Sequence, residues 1–578
     1  MIRRIAVIVP TVLGILVATT AAPANPAAAA TRANAATAAR ISAVLAGMSL
    51  PEKVGQMFVS YVYGASATAA TASETAANRA AYGVDTGAEA VARYHLGGVI
   101  YFTWSGNLTG PAQIADLSHG LQSVAGRVPL QISTDQEGGV VNRIGAPLAV
   151  SPGNMAVGAT FDPRSAYDAA KVSGTELTAL GINTVDAPVV DVNTNPRNTA
   201  DGPRAFSDRT PHVTADAVAA VRGYADAGIG AQAKHFPGLG DTEVNTDNGV
   251  AVTDETRAQI MATHLPPFRA AIAAGVPSIM AAHIVAPALD PSGAPASLSR
   301  PIVTGLLRGT LHYDGVVITD ALSAAALADI PADQIVLRAI EAGDDQLLMP
   351  TDVPAAIATV LDAVAAGTIS TARIDASVRR ILRMKMRLGL FGAGPVGAPP
   401  VVGTDAHLRT MAEVARRSIT ALRSADLPLP GGDVLVTGWG VSTTQNLTNA
   451  LTDRGRHVMR LYTGSPDDAL VARAVAASSD VDVTVVTTYN AWGDVRQQHL
   501  VTALLDTGRP IVVVAVGGPY DIAYFPQADT YLAAYDYQPV SVTAAADVLT
   551  GRTAATGRLP VTIRTPDGGA VLFRYGTR

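Results

Sequence analysis

The chain contains no cysteine in 578 residues. That excludes disulfides, a thiol nucleophile, thiolate-bound metal and a lipid-carrying cysteine near the N-terminus. Charge is sparse as well: 16% of residues are charged, where soluble domains usually carry about a quarter. The net charge of −6 gives no basic footprint for nucleic acid. Beyond the N-terminal segment, no uncharged apolar run approaches the roughly 20 residues that a membrane span needs. Repeats of solenoid period are also missing.

What is present begins with an export signal. Arg3 and Arg4 open the chain, Ile5 to Val17 is apolar, and small residues run to Ala30. We expect residues 1–30 to be a signal peptide, in preference to an uncleaved anchor. Residues 31–40 read as a flexible leader, and the mature protein is expected to be secreted and extracellular, with no stable membrane insertion.

From residue 41 onward short apolar runs alternate with amphipathic stretches. Eight candidate strands are Gly55–Ser60, Gly98–Phe102, Leu130–Thr134, Asn183–Ala187, Gly230–Lys234, Ser278–Ala282, Val316–Thr319 and Gln346–Met349. Helical stretches such as Ser165–Leu180 and His212–Ala227 lie between them. This pattern predicts an α/β chain with a (β/α)8 barrel over 41–390, closed by a basic helix over Ile374–Leu390. A Pro/Gly-rich linker follows over 391–403. Residues 404–578 predict a smaller αβα sandwich, with a helix over His407–Arg423 and strands at Val434–Thr437, Val481–Thr487, Ile511–Val516 and Thr530–Ala534. The Gly517-Gly518 turn does not match a dinucleotide fingerprint.

In a barrel of this kind chemistry sits at the carboxyl ends of the strands. Three strand ends here carry polar groups: Asp135 in Asp135-Gln136-Glu137-Gly138-Gly139, Lys234-His235 in Lys234-His235-Phe236-Pro237-Gly238, and Asp320 in Ile318-Thr319-Asp320-Ala321. Arg204 lies on the longer loop after the fourth strand, and His283 just past the sixth. Facing one rim, these groups would form a polar cup the size of a sugar. The plainer alternatives are a helix N-cap for Asp320, ahead of a helix-like Leu322–Ala328, and a structural ion network for the rest.

These pieces, together with Pro152-Gly153-Asn154-Met155-Ala156, Ala187-Pro188-Val189-Val190-Asp191, Arg204-Ala205-Phe206-Ser207 and Ala282-His283-Ile284, resemble glycoside hydrolase family 3. Within it they resemble the bacterial β-N-acetylhexosaminidases of the NagZ type. The resemblance implies a retaining hydrolase that removes terminal β-linked N-acetylglucosamine from cell-wall or chitin-type oligosaccharides. It implies Asp320 as nucleophile, and Asp135, Arg204, Lys234 and His235 as substrate-binding residues. Arg143, Asp191 and His283 could pack or support the site equally well. The implied partner is an oligosaccharide or peptidoglycan fragment. No cofactor and no metal are implied, since two carboxylates suffice for retention and the histidines lack zinc-ligand spacing. Oligomeric state is not legible in the sequence.

The proton donor departs from the family pattern. NagZ-type enzymes carry Asp-Ser-His after the Lys-His strand, and the matching residues here are Asn245-Thr246-Asp247. Asp247 is therefore the expected acid/base, with Glu243 and Asp241 as alternatives on the same loop. A weakened enzyme that only binds sugar is a third reading. A β-glucosidase is the runner-up activity. Against it, Ala321 replaces the Trp that usually follows the nucleophile in those relatives, and no Glu occurs after Gly431 to serve as donor from the second domain. Asp494, near Trp492, is the nearest substitute there. Trp104 could stack on a sugar or bury itself in the rim.

Overall fold

Helices begin where a Ser or Thr is followed three residues later by Glu. Ser49/Glu52, Thr71/Glu74 and Thr86/Glu89 each form reciprocal capping boxes that satisfy the first free N–H groups of their helices. The first of these sets Leu50–Gly55 as helix, so the expected strand starts at Phe58 rather than Gly55. The computed structural model describes residues 26–392 and 401–578.

Eight parallel strands close into a barrel. They are β1 Phe58–Ser60, β2 Gly98–Ile100, β3 Gln131–Thr134, β4 Thr184–Val185, β5 Gly230–Phe236, β6 Ser278–Ala281, β7 Val316–Thr319 and β8 Leu347–Leu348. Neighbours pair in chain order, and β8 pairs back onto β1 through Phe58↔Leu347. The ring closes with a parallel bridge, Ile318↔Gln346. Every strand residue is buried, as a parallel sheet wrapped by helices requires. Part of the interior is polar. Gln346 Nε2 donates to Gln131 Oε1 at 2.9 Å, and Ser278 Oγ donates to Gln232 Oε1 at 3.0 Å. Such pairing reduces the penalty of burying amides, although Gln131 Nε2 and Gln346 Oε1 find no partner among the described residues.

The second unit is a six-stranded sheet of β9 Thr420–Ser424, β10 Val434–Gly438, β11 Val458–Tyr462, β12 Val483–Thr488, β13 Ile511–Ala515 and β14 Thr530–Ala533. Its order is β9-β14-β13-β12-β10-β11. Only the β9–β14 pair is antiparallel. Helices cover both faces, giving the expected αβα sandwich. Buried Glu176 of the barrel helix Pro163–Ala179 accepts from Gly403 N and pairs with His407 Nδ1, both at 2.8 Å, and so anchors the entry to this unit.

Two expectations are corrected. Residues 31–40 are not a flexible leader: they lie in a helix, Pro26–Ala46, consistent with the high helix propensity of alanine. The helix expected over His407–Arg423 stops at Ser418, and Thr420–Ser424 turns into edge strand β9. β-branched Ile419 and Thr420 favour that switch, and pairing with β14 overrides the helical pattern. Strand β11 was not expected. The charged and apolar parts of the expected N-terminal signal, and most of the expected linker, fall outside the described residues. No helix among the described residues is long and apolar enough to cross a membrane.

Candidate active site

The carboxyl ends of the barrel strands open into a cavity of about 470 Å³. Asp135, Arg143, Arg204, Lys234, His235, Asp247 and Asp320 all line it. It therefore brings together the six residues singled out as catalytic or substrate-binding.

Its floor is a buried charge network. Lys234, near the end of β5, donates to Asp135 Oδ1 at 2.9 Å and pairs with Glu137 Oε1 at 2.8 Å. Arg204 forks onto both oxygens of Glu137, at 2.8 and 2.9 Å, and donates to Ala200 O at 2.7 Å. Burial alone would raise the Glu137 carboxyl, yet the Arg204 and Lys234 charges hold it well below the usual carboxylate range. Burial likewise opposes the charge on Lys234, and Asp135 with Glu137 outweighs it and pushes the ammonium up. Lys234 and Arg204 are thus fixed as cations with donors to offer a sugar.

Glu137 was not singled out in the sequence, although it stands two residues past Asp135. Extended backbone puts such a pair on one side, and that alternation was the available signal. Replacing Glu137 with Gln keeps an acceptor but removes the charge facing two buried cations. The expected loss of stability is about 1.5–3 kcal/mol, the range for hydrogen bonds to charged groups. Chemical denaturation checks it, and an unchanged midpoint would contradict the role. Arg143, by contrast, is partly exposed and meets Asp135 at only 3.4 Å, so little energy rests on that pair.

Behind the floor, His235 Nδ1 meets Asp191 Oδ2 at 2.7 Å, and the same oxygen accepts from His235 N at 3.0 Å. Asp191 Oδ1 accepts from Leu239 N at 2.8 Å. Burial would lower the imidazole, but pairing with Asp191 raises it. Asp191 therefore orients His235 and does not reach the cavity. Buried Asp201 lines the cavity and, among the described residues, neither of its carboxylate oxygens has a hydrogen-bond partner. Burial, helped by the Asp191 charge, pushes it up to about 8. Asp186 is pushed up to about 7 by burial and by Asp135. Neither was anticipated. Ligand atoms of Asp191, Asp201 and His235 lie within 4.8 Å of one another, close enough to chelate an ion. Both Asp191 oxygens are already engaged, however, and Arg204 comes within 3.4 Å of His235 Nε2 to supply positive charge.

Asp320 follows β7 directly. Its N–H donates to Ala281 O, and its Oδ1 accepts from Ala321 N, both at 2.8 Å. No helix starts there. The next helical residues are the single turn Ala325–Leu327, which removes the N-cap alternative. Buried His283 braces this corner. Burial lowers its pKa, Nε2 lies 2.9 Å from Ala321 O, and Nδ1 lies 2.7 Å from Ser297 Oγ. Since a carbonyl only accepts, Nε2 carries the proton. Burial disfavours the Asp320 anion, but His283, His235, the Ala321 N–H and Lys234 together hold the carboxyl below the usual range.

Asp247 sits on the loop after β5, and that loop is stitched down on both sides. Gly240 packs so closely that a Cβ there would meet Val192 O at 1.9 Å. Asn198 Nδ2 donates to Leu239 O at 2.8 Å, and Asn195 Nδ2 to Asp241 O at 3.0 Å. On the other side Ala326 N donates to Thr246 O at 3.1 Å. Asn245 Oδ1 accepts from Asp247 N at 2.8 Å, so Asn245 builds the turn that presents Asp247. Asp247 is exposed as a whole residue, yet it lines the cavity and its carboxyl is partly enclosed there. That enclosure, and then the Asp320 charge, raises its carboxyl above the ordinary value.

The rival donors lie elsewhere. Glu243 is exposed and pairs with Arg197 at 2.6 Å, and Asp241 accepts from Thr253 Oγ1 at 2.8 Å. Asp494 caps the helix Val495–Leu505 and is occupied by Arg496 N and Gln497 N. The second unit nevertheless reaches the cavity through Tyr489 and Asn490, just past β12. No local pattern marks these two.

Two family models match the chain: "Glycosyl hydrolase family 3 N terminal domain" over residues 49–384, and "Glycosyl hydrolase family 3 C-terminal domain" over 229–572. Beta-hexosaminidase A of Pseudoalteromonas piscicida is 34% identical, over 82% of this chain and 90% of its own length. A beta-N-acetylglucosaminidase/beta-glucosidase of Cellulomonas fimi is 29% identical, over 81% and 88%. Among solved structures, a glycoside hydrolase family 3 beta-N-acetylglucosaminidase from Paenibacillus sp. str. FPU-7 superposes with a TM-score of 0.83 at 36% identity, covering 90% of this chain and 100% of that one.

Proposed function

This chain belongs to glycosyl hydrolase family 3, and from that premise we propose that it is a secreted retaining β-N-acetylhexosaminidase that removes terminal N-acetylglucosamine from cell-wall or chitin-type oligosaccharides. One observation carries the reading: two carboxyls line one cavity with their pKa values displaced in opposite directions, Asp320 down and Asp247 up. Retention asks for such a division between an anion and an acid.

Asp320 attacks the anomeric carbon as a carboxylate while Asp247 gives its proton to the departing glycosidic oxygen. The sugar is left as an ester on Asp320. Asp247, now ionised, takes a proton from water, and the resulting hydroxide attacks the same carbon and frees Asp320. Asp135 accepts from sugar hydroxyls, while Arg204 and Lys234 donate, with His235 beside them. The barrel is the catalytic unit, with the second unit completing one wall. Export rests on the N-terminal sequence pattern, and a polymer outside the cell suits an exported enzyme.

Assays with nitrophenyl N-acetylglucosaminide and nitrophenyl glucoside test this. The expected kcat/KM is at least about tenfold higher for the N-acetylglucosaminide, within the span that differential contacts to one substituent supply. The reverse preference would select a β-glucosidase. Binding of N-acetylglucosamine by calorimetry with no nitrophenol released from either would select a sugar-binding protein, a reading that the missing histidine at position 247 keeps open.

A further inference from the structure

Trp104 is 57% exposed, unusual for so large an apolar ring. It is nonetheless held in place. One face stacks on Phe102, with centroids 5.0 Å apart and planes 21° apart. Tyr61 meets it edge-on at 4.7 Å and Tyr63 at 6.0 Å. The stacked face is covered, so the exposure belongs to the rest of the ring. Phe102 itself lines the cavity, and the Arg143 guanidinium lies 5.8 Å from its ring centre. Arg143 in turn pairs with Asp135. A continuous wall therefore climbs from the polar floor through Arg143 and Phe102 to an open indole at the rim.

We propose that Trp104 is the platform of a further saccharide subsite, which binds the sugar unit next to the one being cleaved off. The proposal rests on the hydrolase reading above and specifies its substrate as an oligosaccharide. The barrel floor closes the cavity below, so a second ring joined to the first must extend through the mouth. A pyranose carries a flat patch of C–H groups that fits an aromatic face, and a rigid, pre-stacked indole offers that face without ordering cost. Isolated exposed apolar residues need no explanation, but an indole braced by three aromatic rings beside a sugar-sized cavity has one.

The test compares substrates that reach the rim with one that does not. Trp104→Ala is expected to raise KM for chitobiose between about three- and tenfold, the worth of one aromatic contact, with kcat little changed. N-acetylglucosaminyl fluoride, whose leaving group is a single atom, is expected to be hydrolysed as by the parent, and Trp104→Phe is expected to recover most of the chitobiose KM. Equal losses on both substrates, or no loss on either, would overturn the subsite. Calorimetry with thio-linked chitobiose against N-acetylglucosamine applies even if turnover is absent. Loss of affinity confined to the disaccharide supports the platform, and unchanged affinity for both overturns it. Failure of the parent protein to hydrolyse the fluoride would count against the hydrolase reading alone.

Discussion

Asp320→Asn is expected to lower turnover of nitrophenyl N-acetylglucosaminide by at least about 10⁴-fold, as removal of a covalent nucleophile does elsewhere. The substitution is nearly isosteric. The Asn carbonyl can still accept from Ala321 N, and the backbone N–H still donates to Ala281 O. The strand end should therefore keep its shape while losing the negative charge and the electron pair that form the ester. Stability should change little, because the depressed carboxyl owes its anionic form to His283, His235 and Lys234 rather than to one dedicated ion pair. Initial rates across enzyme concentrations measure the effect. A variant retaining a tenth of the parent rate would remove Asp320 from the nucleophile's role.

Asp247→Asn is expected to slow chitobiose hydrolysis by about 10²–10⁴-fold, the usual worth of a general acid. Glycosyl fluoride needs no proton on its leaving group, so its first step should be nearly spared. Added azide should restore the second step, since it attacks without a general base. The pH profile supplies an independent sign. Asp320 works ionised, so kcat/KM falls as pH drops through its lowered pKa. Asp247 works protonated, so kcat/KM falls as pH rises through its raised pKa. The basic limb should disappear in Asp247→Asn, while the acidic limb remains. Equal slowing of the disaccharide and the fluoride, with the basic limb intact, would point to another donor, and neutral, cavity-facing Asp201 would be the first to examine.

The barrel was legible because parallel strands buried on both faces read as short apolar runs, and because Asp135, Lys234 and Asp320 stand where those runs stop. Family membership was legible in the same motifs. Glu137 was within reach, one alternation past Asp135, but only coordinates display its fork with Arg204. Asp186 and Asp201 were not legible: an aspartate near a turn looks alike whether it is solvated or folded into a cavity wall. Tyr489 and Asn490 reach the site across more than 150 residues of chain from Asp320, and no local pattern encodes that approach. Asp247 could be found by counting along the loop. Its placement depends on the hydrogen bonds that Asn195, Asn198 and Ala326 make to that loop, which periodicity cannot register. The leader and the helix that becomes β9 differ for separate reasons: alanine-rich composition favours helix in the first, and edge pairing overrides the helical pattern in the second.

The most direct measurement is covalent trapping with a 5-fluoro-N-acetylglucosaminyl fluoride, followed by mass spectrometry of the digested protein. Ring fluorine slows both steps, while the fluoride leaving group lets the first proceed, so the ester accumulates. The expected result is one added sugar on the peptide that holds Ile318-Thr319-Asp320-Ala321, absent in Asp320→Asn. A label on another carboxylate, or rapid turnover of the reagent with no label at all, would contradict attack by Asp320.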